Sequence, residues 1–451
     1  MAKSKLLFLE KEKNEFQLIF SQMDIVFMVL FVISCLHSVF GLLFHLALLY
    51  YCTKGTEKCV KALLLVTARG LLSTAVAVSP ALPIVKWAVI LGASAWILFK
   101  PVLKEESKAK INNIVIITVV FALTTALASV GTSSYPITAI FKVISFTLPF
   151  LAIMVGVQST IQTYKWSDYF ALMLLPLFAV SLVLIPFKQF RLINSNFQGV
   201  FNHVNMLGIM SPIFIAGILH SEFFRKRRFL RFIIITAVLV MVYLSSSRTG
   251  MFSSVTVILV YYLFGNQPIP KKIGILCVTL SFVFVFYMVA QGSTLQAVED
   301  LVADFIWKGH NTNIFYSREG LIELAKEKFN QNPWFGSGFM VPYQRGIVDW
   351  GLSFDLMVEP GNMLWALLGD TGAFGTSIFA ILFLVILFQG KRSNLFILIA
   401  AFMINFGEMV FFSSNNMSIF IYFLIALYNF TPDRNTEDLN ENSDTITILE
   451  G

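Results

Sequence analysis

The sequence predicts an all-α, polytopic membrane helix bundle of about 12–14 transmembrane helices, with one large outer loop that contains short helices. Three observations carry that prediction. Apolar runs of about 18 residues or more, the length that spans a bilayer, recur along the chain. Hydrophobic residues make up 57% of the 451 residues and charged residues only 13%, where a soluble chain carries about a quarter. The 33 Lys and Arg residues give a net charge of +7, but they sit in short connections between apolar runs. That pattern orients a membrane protein and is not the basic footprint of nucleic-acid binding.

The expected spans lie near 16–36, 38–52, 62–79, 82–99, 113–131, 136–157, 169–186, 203–220, 230–245, 250–266, 273–290, 362–389, 394–411 and 416–430. One long helix through 25–51 is the alternative for the first pair. Residues 1–451 read as a single integral membrane domain with no internal repeat and no broken helices. The start, MAKSKLLFLEKEKNEFQLIF, is too charged for the apolar core of a cleavable signal. With both termini in the cytoplasm, most Lys and Arg residues fall on the cytoplasmic side, as the charge bias of membrane proteins requires. Residues 431–451, acidic and polar, read as a disordered cytoplasmic tail. Cys35, Cys52, Cys59 and Cys277 lie in or beside apolar runs without metal-ligand spacing and read as packing residues.

Eight basic residues remain on the expected outer side: Lys188, Arg191, Arg248, Lys308, Arg318, Lys326, Lys328 and Arg345. No membrane rule asks for them. Several fall in the one long hydrophilic connection, 291–361, whose length alone marks a functional element. Its first part, TLQAVEDLVADFIW, has Leu295, Val298, Leu301, Val302, Phe305 and Ile306 at helical spacing. A second helix opens near Ser317 in YSREGLIELAKEKF, with Leu321, Leu324 and Phe329 on one face, and NPWFGSGF ends it.

Ser247-Arg248 and Ser317-Arg318 share one device, a serine at a helix N-cap followed by an arginine in the first turn. The helix dipole does not favour a cation there. A bound anion explains it, because backbone N–H groups and a guanidinium then converge on the same charge; a snorkelling arginine at lipid headgroups is the alternative. In VEPGNMLWALLGDTGAFG, Pro360 suits a first helical turn and sets Glu359 at the mouth of the next span. Glu359 is there either to match the dipole or to act as a general base. Lys86, Lys142 and Glu408 fall near the outer ends of their spans, consistent with a polar cavity, and Arg69 falls near mid-span, where it needs an internal partner. His310 reads as a loop histidine.

Taken together, SSSRTG, YSREGLIELAKEKFNQNPWFGSGF and EPGNMLWALLGDTGAFG resemble, in order, the motifs of the O-antigen ligase and O-antigen polymerase superfamily of bacterial surface-polysaccharide enzymes. FNHVNMLGIM resembles the earlier family segment in which an Asn and a Gly open a span. The resemblance covers about residues 185–390. It implies metal-independent glycosyl transfer, without a cofactor, on the outer face of the bacterial cytoplasmic membrane. The donor it implies is a glycan on undecaprenyl pyrophosphate, and the acceptor is a sugar hydroxyl. Arg248 and Arg318, with Arg191, Lys142 and Arg69, are the expected pyrophosphate-binding set, and Glu359, Arg248 and Arg318 the expected catalytic residues. Flippase and chain-length regulator proteins are the implied partners besides membrane lipid. Ligases of the family carry a histidine just before the asparagine of the third motif, where this chain has Gly361-Asn362. A polymerase-like member is therefore expected, with a ligase and a transporter of lipid-linked oligosaccharides as the competing readings.

Overall fold

The computed structural model describes residues 19–82, 84–104, 112–190, 196–264, 319–342, 362–413 and 417–431. Regular structure there is helical: α1 (Gln22–Ser34), α2 (Ser38–Cys52), α3 (Thr56–Gly70), α4 (Val85–Lys104), α5 (Asn113–Thr132), α6 (Pro136–Thr160), α7 (Trp166–Val183), α8 (Val204–His220), α9 (Glu222–Lys226), α10 (Arg228–Leu244), α11 (Arg248–Phe264), α12 (Glu319–Gln331), α13 (Met363–Gln389), α14 (Leu395–Met403) and α15 (Ser418–Phe430). By length and composition α5, α6, α7 and α13 can each cross a membrane, while α1, α2, α8, α11 and α15 are apolar but shorter. Their faces are those of a membrane bundle. Along α5, Leu123, Leu127 and Val130 are exposed, whereas Thr118, Thr125 and Ser129 are buried. Lipid takes the apolar face, and small polar residues line the helix contacts. The chain is a multi-pass membrane protein.

One end of the bundle carries the basic turns around Lys54, Lys165, Arg227 and Lys391. A network there locks the first helices together. Ser21 and Asp24 form a capping box at the start of α1. Asp24, fully buried, also accepts from Lys58 and Lys61 of α3 at 2.7 Å each and from the Tyr51 hydroxyl of α2. Lys61 lies over the rings of Tyr164, Trp166 and Tyr169. Removing one member of such a pair strands the others' charge in the interior. Asp24→Ala is therefore expected to destabilise the bundle by roughly 3–5 kcal/mol. A lowered thermal midpoint in detergent would show it, with Lys54→Ala, which faces solvent, as the control.

At the opposite end the helices stop earlier than the hydrophobic pattern implies. The first pair is split as expected, with Cys35–His37 between α1 and α2. The expected span 62–79 is instead a helix that ends at Gly70, followed by irregular chain that turns at Ser73–Ala77. Ser73 N donates to Val200 O at 2.8 Å, Asn202 N donates to Leu71 O at 2.9 Å, and Leu72 pairs with Phe201. Arg69 is thus in the last turn of α3 rather than near mid-span. A cation there complements the helix dipole, and Arg69 donates to Ser34 Oγ at 3.1 Å, Ser34 O at 3.2 Å and Val78 O.

Two spans expected to be continuous are broken. In α13, Gly372 has φ +64°, outside helical geometry. After α14 the chain makes a 3-10 turn at Ile404–Phe406 and then leaves helical form, so the expected span 394–411 ends partway. Asn405 makes this possible, because its side chain accepts from Val410 N at 3.0 Å and Phe411 N at 2.8 Å, while Tyr422 donates to Phe411 O at 2.6 Å. Non-helical backbone at membrane depth survives only when protein groups satisfy it in this way.

Candidate functional site

The Ser-Arg turn is built as the sequence implies. Ser247 caps α11, accepting from Gly250 N at 3.4 Å, and Arg248 is the first helical residue. The preceding Ser246 takes φ +52° and donates through its hydroxyl to Asn196 at 2.9 Å, so the turn is held from both sides. Glycine decides what it packs on. A Cβ on Gly250 would collide with the backbone of Gly208 in α8, and one on Gly208 would collide with the Ser247 side chain. Without those side chains the two backbones touch, the close approach that small residues allow between membrane helices. Arg248 is therefore fixed at the mouth of α8, one turn past Asn205.

The break after α14 completes the arrangement. Thr249 packs on Gly407, where a Cβ would meet its side chain. Asn205 Nδ2 donates to Glu408 Oε1 at 2.8 Å, across 203 positions of sequence. Asn362, the N-cap of α13, accepts from Leu364 N at 3.0 Å and donates through Nδ2 to Phe406 O at 3.1 Å. The starts of α8, α11 and α13 thus meet around residues 406–408. These are the starts marked by FNHVNMLGIM, SSSRTG and the Asn362 motif, which the sequence read one by one. Beneath them lies an aromatic floor in which Phe146 packs with Phe339, Phe411 and Phe412. Lys142 stands one helical turn before Phe146 on the same face of α6.

The loop helix is carried into place by a second device. Gly336 has φ +73°, Gly338 φ +110° and Gly372 φ +64°. The turn after α12 and the break in α13 satisfy each other's backbone: Ser337 N donates to Gly369 O at 3.0 Å, Ala373 N to Pro333 O at 2.8 Å and Phe374 N to Trp334 O at 3.1 Å. Lys328 pairs with the buried Asp370, whose other oxygen accepts from Met340 N at 2.9 Å. Lys326 lies over the Trp365 ring at 5.0 Å. Ala325 and Lys328 of α12 pack on Gly369 of α13, and the turn after α12 follows α13 on to Phe374. The inward face differs from the expected one: Ala325 and Lys328 are buried while Leu324 is 51% exposed. Close approach to Gly369 and the pairing with Asp370 outweigh the apolar stripe.

Of the expected site residues, Arg248 lies at the meeting point, Lys142 above its floor, and Arg69 at the same end but engaged with Ser34 and Val78. Arg318, Glu359 and Arg191 lie outside the described residues, as do Cys277, His310, span 273–290 and the helix expected over 295–306. Lys328, one of the eight unexplained basic residues, holds the fold of the loop. Asn362 caps α13 two positions after Pro360, so the helix starts later than a proline-led first turn implies. Asn205 and Asp370 were legible only as members of quoted motifs. The signal that could have raised Asp370 is a carboxylate between two glycines inside an apolar run.

Residues 232–380, which run from α10 through the loop and past the break in α13, match a family described as O-antigen ligase. No curated protein matches the chain. The matched stretch contains Arg248, Arg318, Glu359 and Asn362, while Asn205 and Glu408 lie outside it.

Proposed function

We propose that this chain, whose residues 232–380 match the O-antigen ligase family, is a polymerase that joins lipid-linked repeat units. The donor in this reading is a glycan on undecaprenyl pyrophosphate, and the acceptor is a sugar hydroxyl of a second lipid-linked unit. The reaction takes place on the outer face of a bacterial cytoplasmic membrane. The observation that carries it is the meeting of the starts of α8, α11 and α13 around 406–408, with Arg248 in the first turn of one of them. When the glycosyl bond breaks, negative charge builds on the departing pyrophosphate. Preorganised donors aimed at that charge are the strongest single aid a protein can supply. Arg248 and Arg318 provide guanidinium forks that match phosphate oxygens, so this mechanism needs no metal. Lys142 and Arg191 add to the field, and Arg69 supports the same end of the bundle.

The acceptor hydroxyl must lose its proton as it attacks the anomeric carbon, and a nearby carboxylate is the group to take it. Glu359, just before Asn362, is the one the sequence offers. Gly361, standing where ligases of the family have histidine, favours polymerisation over transfer of a finished glycan. Flippase and chain-length regulator proteins fit as partners of such an enzyme. The broken helices at Gly372 and after Phe406 are a feature of transporters too. Here both breaks are bound into the arginine-bearing loop and helix starts, which suits chemistry at the surface better than alternating access.

A glycan ladder from cells lacking the gene tests the reading. Single repeat units attached to their final acceptor are the expected result. Full-length glycan left on its lipid carrier would make the protein a ligase, and lipid-linked units trapped facing the cytoplasm would make it a transporter.

A further inference from the structure

Among the described residues, the carboxylate at the meeting point is Glu408. It is 8% exposed and sits in the non-helical segment after Phe406. From the basic end, α14 and the adjoining 3-10 turn rise about 20 Å. That depth puts Glu408 below the outer edge of a hydrocarbon core about 30 Å thick. An ionisable group at that depth is expensive to maintain and marks a functional position by default. The protein also spends several interactions to hold it. Glu408 N donates to Ile404 O at 2.9 Å, and Asn405 ties the turn on its far side. Asn205 Nδ2 holds Oε1 at 2.8 Å. Glu408 is flanked by the residues that anchor the other helix starts: Gly407 receives Thr249, next to Arg248, and the Phe406 carbonyl receives Asn362.

We infer that Glu408 is the general base of glycosyl transfer, held in position by Asn205. This rests on the proposed transfer reaction and assigns its base to Glu408 in place of Glu359. The acceptor O–H donates to the Glu408 carboxylate, and its oxygen forms the new bond to the anomeric carbon. The bond from that carbon to the pyrophosphate oxygen breaks, and the electron pair leaves with the lipid pyrophosphate at Arg248. The proton held by Glu408 then passes to water or to the leaving phosphate, which returns the carboxylate.

The test uses the full-length protein in nanodiscs with a lipid-linked repeat unit, and follows kcat, KM and the pH profile. Glu408→Gln keeps the size and the hydrogen bond to Asn205, so the bundle should fold. It is expected to lower kcat about 100-fold or more, to leave KM within a few fold, and to remove the acid limb of the pH profile. Glu408→Asp should restore part of the rate, and Asn205→Ala should lower kcat and shift that limb without abolishing it. Full activity of Glu408→Gln, or a lost rate with the acid limb intact, overturns the assignment. So does a Glu359→Gln variant that alone shows the loss. Arg248→Ala in the same assay separates the two ideas. If it is inactive while Glu408→Gln is unaffected, the transfer reading stands and the base is elsewhere. If both keep full activity, the transfer site itself is misplaced.

Discussion

Arg248→Ala is expected to lower glycan transfer by about 100- to 1,000-fold, the cost of removing one preorganised donor to a transition-state charge. The fold should survive, because the structural work of the turn is done by its neighbours. Ser247 caps α11, Ser246 bonds Asn196, and Gly250 rests on Gly208. Arg248→Lys should recover only part of the loss, since an ammonium is a point charge and cannot grip two phosphate oxygens as a planar fork does. Single-turnover rates with purified protein and a lipid-linked donor measure this directly. The loss should appear in the chemical step, and the thermal midpoint should stay at the wild-type value. Undiminished turnover would make Arg248 an anchor for lipid headgroups and would leave the pyrophosphate site without its best-placed residue.

Gly336→Val and Gly372→Val are expected to release the loop from the bundle, although neither glycine has any chemistry of its own. Both occupy left-handed backbone, at φ +73° and φ +64°. A Cβ on Gly336 would run into the Asp370 carbonyl carbon, and one on Gly372 into that of Trp334. These are backbone atoms that cannot turn aside. Left-handed strain of about 1–2 kcal/mol combines with about 1–3 kcal/mol of overpacking, so each substitution should destabilise the docked loop by roughly 2–5 kcal/mol. Limited proteolysis near α12 should accelerate, and transfer should fall with it, because Arg318 immediately precedes α12 in the sequence. Gly320→Val serves as the control: it lies in the same helix with nothing within 4 Å of a new Cβ, and it should match wild type in both measurements. If Gly372→Val keeps a protected loop and full activity, the interlock of the two turns does not position the site.

The two predictions divide along the line between what local sequence shows and what packing creates. Ser247-Arg248 was legible because an N-cap is a local event, complete within four residues. The interlock was not, since a glycine in an apolar run reads equally as packing, a kink or nothing. Asn405 illustrates the same limit. Within the run from Leu395 to Phe412 it is one of two polar residues, with Glu408, and only the surrounding bundle turns it into the support of a broken helix.

By itself the sequence determined the membrane-helix architecture, the split of α1 from α2, the loop helix with its glycine-rich stop, and the capped arginine of α11. These follow from hydrophobic length, charge placement and caps, each of which acts over neighbouring residues. Tertiary structure alone decided that Lys328 pairs with Asp370, that Lys58 and Lys61 close on Asp24, and that Asn205 meets Glu408. The physical reason is that a buried charge must find a partner or a donor in three dimensions, and nothing in the periodicity of an almost uniformly apolar chain says where that donor comes from.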